Sequence, residues 1–279
     1  ESGVLNATAN TTGLLIRTTD HYLESFRDGQ GSVGEWAART AGIHGNSIGV
    51  SICSSAANYE TTAATTTSAE EAQGQTTISV TDASVFTVGD LVNFGETNGF
   101  EYEVTTVNDS GTSDTIVIKL KDDPNGAGLQ STISSGTSIR RRWRFYDLFD
   151  AAPGTSTYAT GKGLIGDEMH VVVFDRTGDI SGFRADTNGE RTNAVLETFP
   201  FVSQAASAKT SQGGTNFYPD VIYGQSKLIY WLDHDSSLSN VGTDPVAGTT
   251  FASTAGKGGV KDDNLSGGTD DYAVTVGEL

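Results

Sequence analysis

Short runs of alternating apolar and polar residues occupy the middle of the chain, from about residue 76 to residue 120. Turn residues such as Gly89, Gly99 and Gly111 separate them. Alternation with a period of two is typical of a strand with one buried face. The runs lie at 76–80, 85–88, 90–94, 100–107 and 115–120. Short strands at this spacing predict a small β-barrel or sandwich.

The residues before position 59 predict a strand, a helix and a second strand. The first strand is the apolar run 13–17, and the second is 48–53, which alternates. Between them, 32–39 is helix-like, and Ser32 and Glu35 have the spacing of a capping box. Thr275 and Glu278 repeat that spacing where a helix would begin and the sequence stops within its first turn, and the first residue is Glu1 rather than Met. Together these two observations lead us to expect a piece truncated at both ends.

Longer apolar runs follow residue 145. The run 168–174 is almost continuous, which predicts a strand buried on both faces. Asp175 to Gly178 then forms a turn, and 179–182 begins the return strand of a hairpin. The remaining predictions are a strand at 192–201, a helix or further strand at 218–223 and 226–232, and long loops at 235–270.

The composition changes at Tyr59. Residues 60–75 are almost entirely Thr, Ala, Ser, Glu and Gln, which predicts a linker or an exposed loop. We therefore expect an α+β protein in which an all-β module, residues 60–144, is inserted between residues 1–59 and residues 145–279.

Acidic residues outnumber basic ones by 35 to 17, and the formal net charge is −18. Binding to nucleic acid requires neutralisation of phosphates, and anionic membranes likewise attract basic surfaces, so we expect neither as a partner. No apolar run approaches the roughly 18 residues of a membrane-spanning helix. The single cysteine, Cys53, excludes an intrachain disulfide framework and a multi-cysteine metal site.

Two motifs resemble catalytic ones but lack the context that catalysis needs. Gly45-Asn-Ser47-Ile-Gly49 matches a hydrolase nucleophile elbow, yet helix-like sequence precedes it and strand-like sequence follows, the reverse of the required order. We interpret it as a helix-to-strand turn. Asp175 ends a strand as in haloacid-dehalogenase-type phosphatases, but Arg176 and Thr177 follow it and the second Asp is missing. We interpret this segment as a hairpin turn.

The remaining candidates also favour structural roles. Asp233, His234 and Asp235 are adjacent, but alternate residues of a strand face opposite ways and no second His lies nearby. The segment around Lys162 is not a phosphate-binding loop, because the first glycine at the required upstream spacing and the Ser or Thr after the lysine are both missing. The sequence therefore predicts no catalytic residue, no cofactor and no metal ligand, and a protein that is not an enzyme.

Four of the 17 basic residues lie within five positions: Arg140, Arg141, Arg142 and Arg144. In an acidic chain such a cluster can pair with carboxylates of a neighbouring subunit, or cover the junction between modules. We therefore predict an intersubunit or domain-junction contact here.

Several segments resemble, in the same order, the tail sheath proteins of contractile-tailed bacteriophages, most closely those of T4-like phages, including cyanophages. The family has an Ala-rich helix, a Gly-Asn-Ser turn and a strand, which resemble residues 34–53. It then has a strand with an Asp-x-x-Gly hairpin, a Val-Leu-Glu-x-Phe segment and an Asn-Tyr-Tyr-x-Asp-Val-Ile segment. The corresponding residues are 171–182, 195–209 and 213–222, and residues 142–156 and 265–270 also fit.

The resemblance implies a discontinuous α/β middle domain, residues 1–59 and 145–279, with an outward-facing β-barrel at 60–144. It also implies that the chain lacks the terminal arms and the C-terminal domain of the family. Sheath subunits form six-subunit rings that stack helically around a tail tube and contract on a signal from the baseplate. The expected partners are therefore further copies, the tube and the baseplate, in the virion and, during assembly, in the host cytoplasm. The alternative is a non-enzymatic receptor-binding or carbohydrate-binding virion protein, for which we expect clustered exposed Trp or Tyr, whereas Trp36, Trp143 and Trp231 are far apart in sequence.

Overall fold

The computed structural model describes residues 16, 18–28, 34–40, 42–121, 123, 125–182, 194–252 and 260–268. The helices are α1 Thr19–Ser25, α2 Ala56–Tyr59, α3 Thr157–Lys162 and α4 Tyr218–Gln225, with 3-10 helices at Ile43–Ser47 and Tyr146–Leu148. The strands are β1 Trp36–Ala38, β2 Ile48–Cys53, β3 Thr65–Thr66, β4 Thr77–Ser79, β5 Leu91–Asn93, β6 Tyr102–Asn108, β7 Thr115–Leu120, β8 Ser138–Arg142, β9 Glu168–Asp175, β10 Ala194–Ser203, β11 Ile229–Trp231 and β12 Val260–Asn264. The predicted α+β class is confirmed, with more strand than helix. None of the described helices has the length and apolar character needed to cross a membrane.

The described residues form two compact units. The first unit contains those up to Ile52, from Thr155 to Ala252 and from Asp262 onward. The second unit contains Cys53 to Gly154, together with Val260 and Lys261. The sequence-based limits of the inserted module, 60 and 144, both lie inside the second unit.

A curled six-stranded sheet makes up the second unit. Its strand order is β3-β8-β5-β6-β7-β4, with antiparallel pairing throughout. The two outer strands meet at a bridge between Thr67 and Val80. There the Ser68 amide donates to the Ser79 carbonyl at 2.9 Å, and the Thr81 amide donates to the Thr66 carbonyl at 2.9 Å. The sheet therefore closes on itself, which removes its free edges.

Alternating residues of this sheet point inward and form one apolar core. Val104 of β6 and both Ile116 and Ile118 of β7 are at most 1 % exposed, as is Ile139 of β8. In β7 the alternating residues Ile116 and Ile118 are buried between less buried neighbours, as the sequence pattern predicts.

The chain enters and leaves this sheet at one place. Glu60 bridges Arg142 in antiparallel fashion, and the Trp143 amide donates to the Tyr59 carbonyl at 3.0 Å. The first and last segments of the sheet are therefore hydrogen-bonded neighbours.

Two sequence-based predictions within the second unit are wrong. Residues 60–75 do not form a linker or an exposed loop, because Thr65–Thr66 is strand β3 and Glu71 is buried. The Glu71 carboxylate accepts the Ser79 amide at 2.7 Å, which satisfies it inside the unit. Residues 85–88 are turn and loop rather than strand, although Phe86 still packs in the core.

A four-stranded sheet with the order β10-β9-β2-β12 organises the first unit. Strand β9 lies inside it, and Met169 to Asp175 are all buried, so the predicted strand with two buried faces is confirmed. The predicted return strand at 179–182 is wrong, because these residues form turn and bend, with the Ile180 and Ser181 amides bound to the Asp175 carboxylate. The antiparallel partner of β9 is β10, which overlaps the separate strand predicted at 192–201.

A separate two-stranded sheet pairs β1 with β11, and Trp36 lies opposite Trp231. The predicted helix at 32–39 is therefore wrong over Trp36–Ala38. All three residues are buried against β11, and this tertiary pairing outweighs the helix preference of the two alanines. Residues 13–15, Ser32, Thr275 and Glu278, on which the first strand and the two capping boxes rest, lie outside the described residues.

Candidate functional site

The arginine cluster lies on and just after β8, where strand alternation gives its members different surroundings. Ile139 and Arg141 point inward and are at most 1 % exposed, whereas the side chains of Arg140 and Arg142 are 45 % and 29 % exposed. One run of basic residues thus supplies a buried cation and an outer charged face.

Arg141 forms a buried ion pair with Asp90, whose side chain is 2 % exposed. Its Nη1 lies 3.3 Å and 3.5 Å from the two carboxylate oxygens, and its Nη2 donates to the Asn58 carbonyl at 3.3 Å. The Thr87 amide also donates to Asp90, at 2.8 Å. Removal of either charge would leave the other without its counterion in a place that water does not reach.

The outward arginines pair with carboxylates of the same unit. Arg142 donates to Glu101 at 2.6 Å and to Glu60 at 3.3 Å, and Glu60 also pairs with Arg140. The guanidinium of Arg144 lies 4.9 Å from the ring centre of Phe145. Contacts inside the second unit therefore engage all four side chains, and a role in an intersubunit or junction contact stays a prediction.

The helix-to-strand turn at Ser47 is confirmed. Ser47 ends a 3-10 helix and β2 follows at once, so no helix begins after it as a nucleophile elbow requires. Its buried hydroxyl donates to Asp179 at 3.1 Å. Gly49, the last residue of the motif, lies in β2, where a Cβ would lie 2.2 Å from the ring of Phe174.

The Asp175 carboxylate accepts hydrogen bonds from backbone amides of the turn that follows β9. One carboxylate oxygen accepts the Gly178 amide at 2.9 Å, and the other accepts the amides of Ile180 at 3.0 Å and Ser181 at 2.7 Å. Burial pushes the pKa of Asp175 upward, but these bonds outweigh it and hold the pKa below its ordinary value of 3.8. The predicted turn is therefore built around this carboxylate.

Asp233, His234 and Asp235 do not converge. His234 Nδ1 lies 2.6 Å from the Tyr218 hydroxyl, whereas Asp235 accepts the amide and hydroxyl of Ser237, both at 2.8 Å. Across the described parts of the chain, no group of three or more His, Cys, Asp or Glu side chains could hold a metal ion. Lys162 lies over the Tyr158 ring, 5.0 Å from its centre.

The sequence did not predict an aromatic cluster in the first unit, formed by Tyr22, Tyr223 and Tyr230. Tyr22 of α1 stacks on Tyr230 with ring centres 4.3 Å apart and on Tyr223 at 5.7 Å. The Tyr22 hydroxyl donates to the Trp231 carbonyl at 2.7 Å, which ties α1 to β11. Trp36 and Trp231, far apart in sequence, are cross-strand partners. About 200 residues separate α1 from β11 in sequence, so no local pattern indicates their contact. The N-cap residue Thr18 and the spacing of Tyr22 and Phe26 are the sequence features that could have predicted α1 itself.

Beside this cluster is a cavity of about 290 Å³. The buried residues Tyr22 and Trp231 contribute to its lining, which also includes Arg27, Asp28, Phe217, Asp220, Tyr223 and His234. We call it the aromatic pocket. It lies wholly within the first unit.

No family model, no curated protein and no solved structure gives a significant match to the chain.

Proposed function

We propose that this chain is part of a subunit of a contractile tail sheath. The observation that carries the proposal is the order of the segments that resemble the sheath family, which extends over nearly the whole chain. Each segment alone is short, but their common order is hard to obtain by chance.

The fold supports the proposal at three of these segments. Residues 171–182 contain most of β9 and its Asp175 turn, 195–209 contain most of β10, and 213–222 lead into α4. All three belong to the first unit, while the closed sheet is formed by residues that interrupt that unit in sequence. This agrees with an α/β middle domain that carries a β-barrel insertion. The strand at Trp36–Ala38 departs from the family, which has a helix there.

The proposed mechanism is mechanical. Rings of six subunits stack around a tail tube in an extended state, and a baseplate signal lets the subunits rotate into tighter contact. New intersubunit contacts supply the free energy, as in other bistable interfaces. A repeated head-to-tail contact extends into a helix unless it is capped, and the net charge of −18 keeps free subunits soluble until a template gathers them.

Negative-stain electron microscopy of the full-length gene product, with the 279-residue chain as the comparison, tests the proposal. We expect striated tubes from the full-length protein and single particles from the chain. Small monodisperse particles from both samples at every salt concentration would refute a sheath role.

The second candidate is a non-enzymatic receptor-binding or carbohydrate-binding virion protein. Such a protein should present clustered exposed Trp or Tyr, and the aromatic cluster of the first unit does not supply them, because Tyr22, Trp36, Tyr230 and Trp231 are at most 5 % exposed. This candidate predicts single particles in the same microscopy experiment, together with binding to a glycan.

A further inference from the structure

The aromatic pocket has the size and rigidity of a site for a small ligand. Its volume of about 290 Å³ lies near the lower end of the range for ligand pockets, roughly 300 Å³. Ring contacts hold its walls: Tyr223 stacks on Tyr22, and Phe217 packs edge-on against Tyr218 with centres 5.8 Å apart. A ligand therefore meets preformed apolar surfaces and needs little reorganisation of the protein.

A hydrogen-bond chain orients His234 at the pocket wall. Trp231 Nε1 can only donate, and it donates to the Tyr218 hydroxyl at 2.9 Å. The Tyr218 hydroxyl is 2.6 Å from His234 Nδ1, and the arrangement that uses every group has it donate to that nitrogen. Burial lowers the pKa of His234, so the neutral ring carries its proton on Nε2. Nε2–H is then a donor at the pocket wall.

The rim adds acceptors and a second donor. Arg27 donates to Asp220 at 2.7 Å, and both side chains remain more than a third exposed. Asp28 is exposed and forms no hydrogen bond or ion pair with the described residues. The pocket thus combines carboxylate acceptors with guanidinium and imidazole donors, beside aromatic rings.

We propose that the aromatic pocket binds one pyranose unit of a saccharide. Each sugar hydroxyl both donates and accepts, which suits Asp28 and Asp220 together with His234 and Arg27. The apolar C–H face of the sugar packs on the half-buried Phe217 ring, since Tyr22 stacks on the Tyr223 ring and the Arg27 guanidinium lies over it. The inference goes beyond the proposed sheath function and does not depend on it.

The charges of the pocket favour a neutral ligand over an ion. Two carboxylates and one guanidinium leave a formal charge of −1 with His234 neutral, which disfavours phosphate or carboxylate ligands. An incoming cation would compete with Arg27, which already lies 4.9 Å from the centre of the Tyr223 ring and pairs with Asp220. A polyhydroxyl compound carries no charge, so the negative charge of the pocket does not repel it and it does not compete with Arg27.

Saturation-transfer-difference NMR on the 279-residue chain tests the proposal. The probes are methyl α-glucopyranoside, methyl α-mannopyranoside, methyl β-galactopyranoside and N-acetylglucosamine, with inorganic phosphate and choline as ionic comparisons. We expect at least one sugar to bind with a dissociation constant on the order of 1 mM, as its small number of heavy atoms implies. Binding of phosphate or choline with no sugar binding would overturn the proposal, as would no binding by any sugar at tens of millimolar.

Two matched variants locate the site. Asp28→Asn should weaken sugar binding by about tenfold or more, because it removes a charged acceptor. Asp150→Asn changes a carboxylate of the second unit that is also exposed, and it should leave binding unchanged. Equal affinities of the two variants would place the sugar elsewhere and refute the assignment. The microscopy outcome for tubes has no bearing on this comparison, so failure of one proposal is distinguishable from failure of the other.

Discussion

Replacement of Arg141 by methionine should destabilise the second unit far more than the same change at Arg140. The two arginines are adjacent on β8, but Arg141 is 1 % exposed beside Asp90, whereas the side chain of Arg140 is 45 % exposed beside Glu60. The pair is therefore a matched comparison of burial with the same residue type and strand.

The structure gives the scale of the effect. Unit charges 3.3 Å apart attract by about 5 kcal/mol at an effective dielectric constant of about 20. Arg141→Met removes this attraction and leaves Asp90 buried with the Thr87 amide as a remaining donor, so we expect a loss of about 3–5 kcal/mol. For the exposed pair, Arg140→Met should cost at most about 1 kcal/mol.

The assay is hydrogen exchange of the β6 and β7 amides, followed by mass spectrometry, because these strands form the core of the second unit. The double variant Arg141→Met/Asp90→Asn also removes the orphaned charge, so it should recover about 2–3 kcal/mol of the loss. Equal protection in the Arg140 and Arg141 variants, or strictly additive losses in the double variant, would refute the reasoning.

Two further predictions concern the first unit. Gly49→Ala should destabilise it by about 1–3 kcal/mol or more, because the new Cβ would lie 2.2 Å from the Phe174 ring. Gly161→Ala is the control and should be neutral or stabilising, because a Cβ there meets nothing within 4 Å. Thermal unfolding compares the two variants, and equal melting temperatures would contradict the packing argument. Asp175→Asn should lower stability by about 1.5–3 kcal/mol at neutral pH, since it removes charge-assisted hydrogen bonds in a buried turn. Because the folded pKa of Asp175 is depressed, its contribution is present above the ordinary value of 3.8 and is lost as the pH falls through the lower folded value. Urea unfolding should therefore show the wild type and the variant converging as the pH falls below 3.8, and a gap that does not change with pH would contradict this sign.

The sequence predicted best those strands whose neighbours in space are also regular. Strand β7 matches its predicted limits, 115–120, because its alternation reflects one buried and one outer face. Strand β9 was identifiable because a strand covered on both faces has a continuous apolar run.

Residues whose environment comes from distant parts of the chain were missed. The residues around Glu71 have the composition of a linker. Its burial is explained by the hydrogen bond that its carboxylate accepts from the Ser79 amide of β4. Trp36–Ala38 reads as helix until β11 is present to pair with it. The aromatic pocket joins α1 to residues near position 220, so no local pattern could have indicated it.

The hydrogen bond between Trp143 and Tyr59 has a consequence for evolution of the gene. Because the two backbone segments lie side by side, about 5 Å apart as antiparallel neighbours are, the intervening residues could be deleted or exchanged with only a short peptide to bridge the gap. The segment between Tyr59 and Trp143, which forms most of the second unit, is thus one that recombination between related genes can exchange with little change to the flanking sequence. Variation should therefore accumulate fastest between Tyr59 and Trp143.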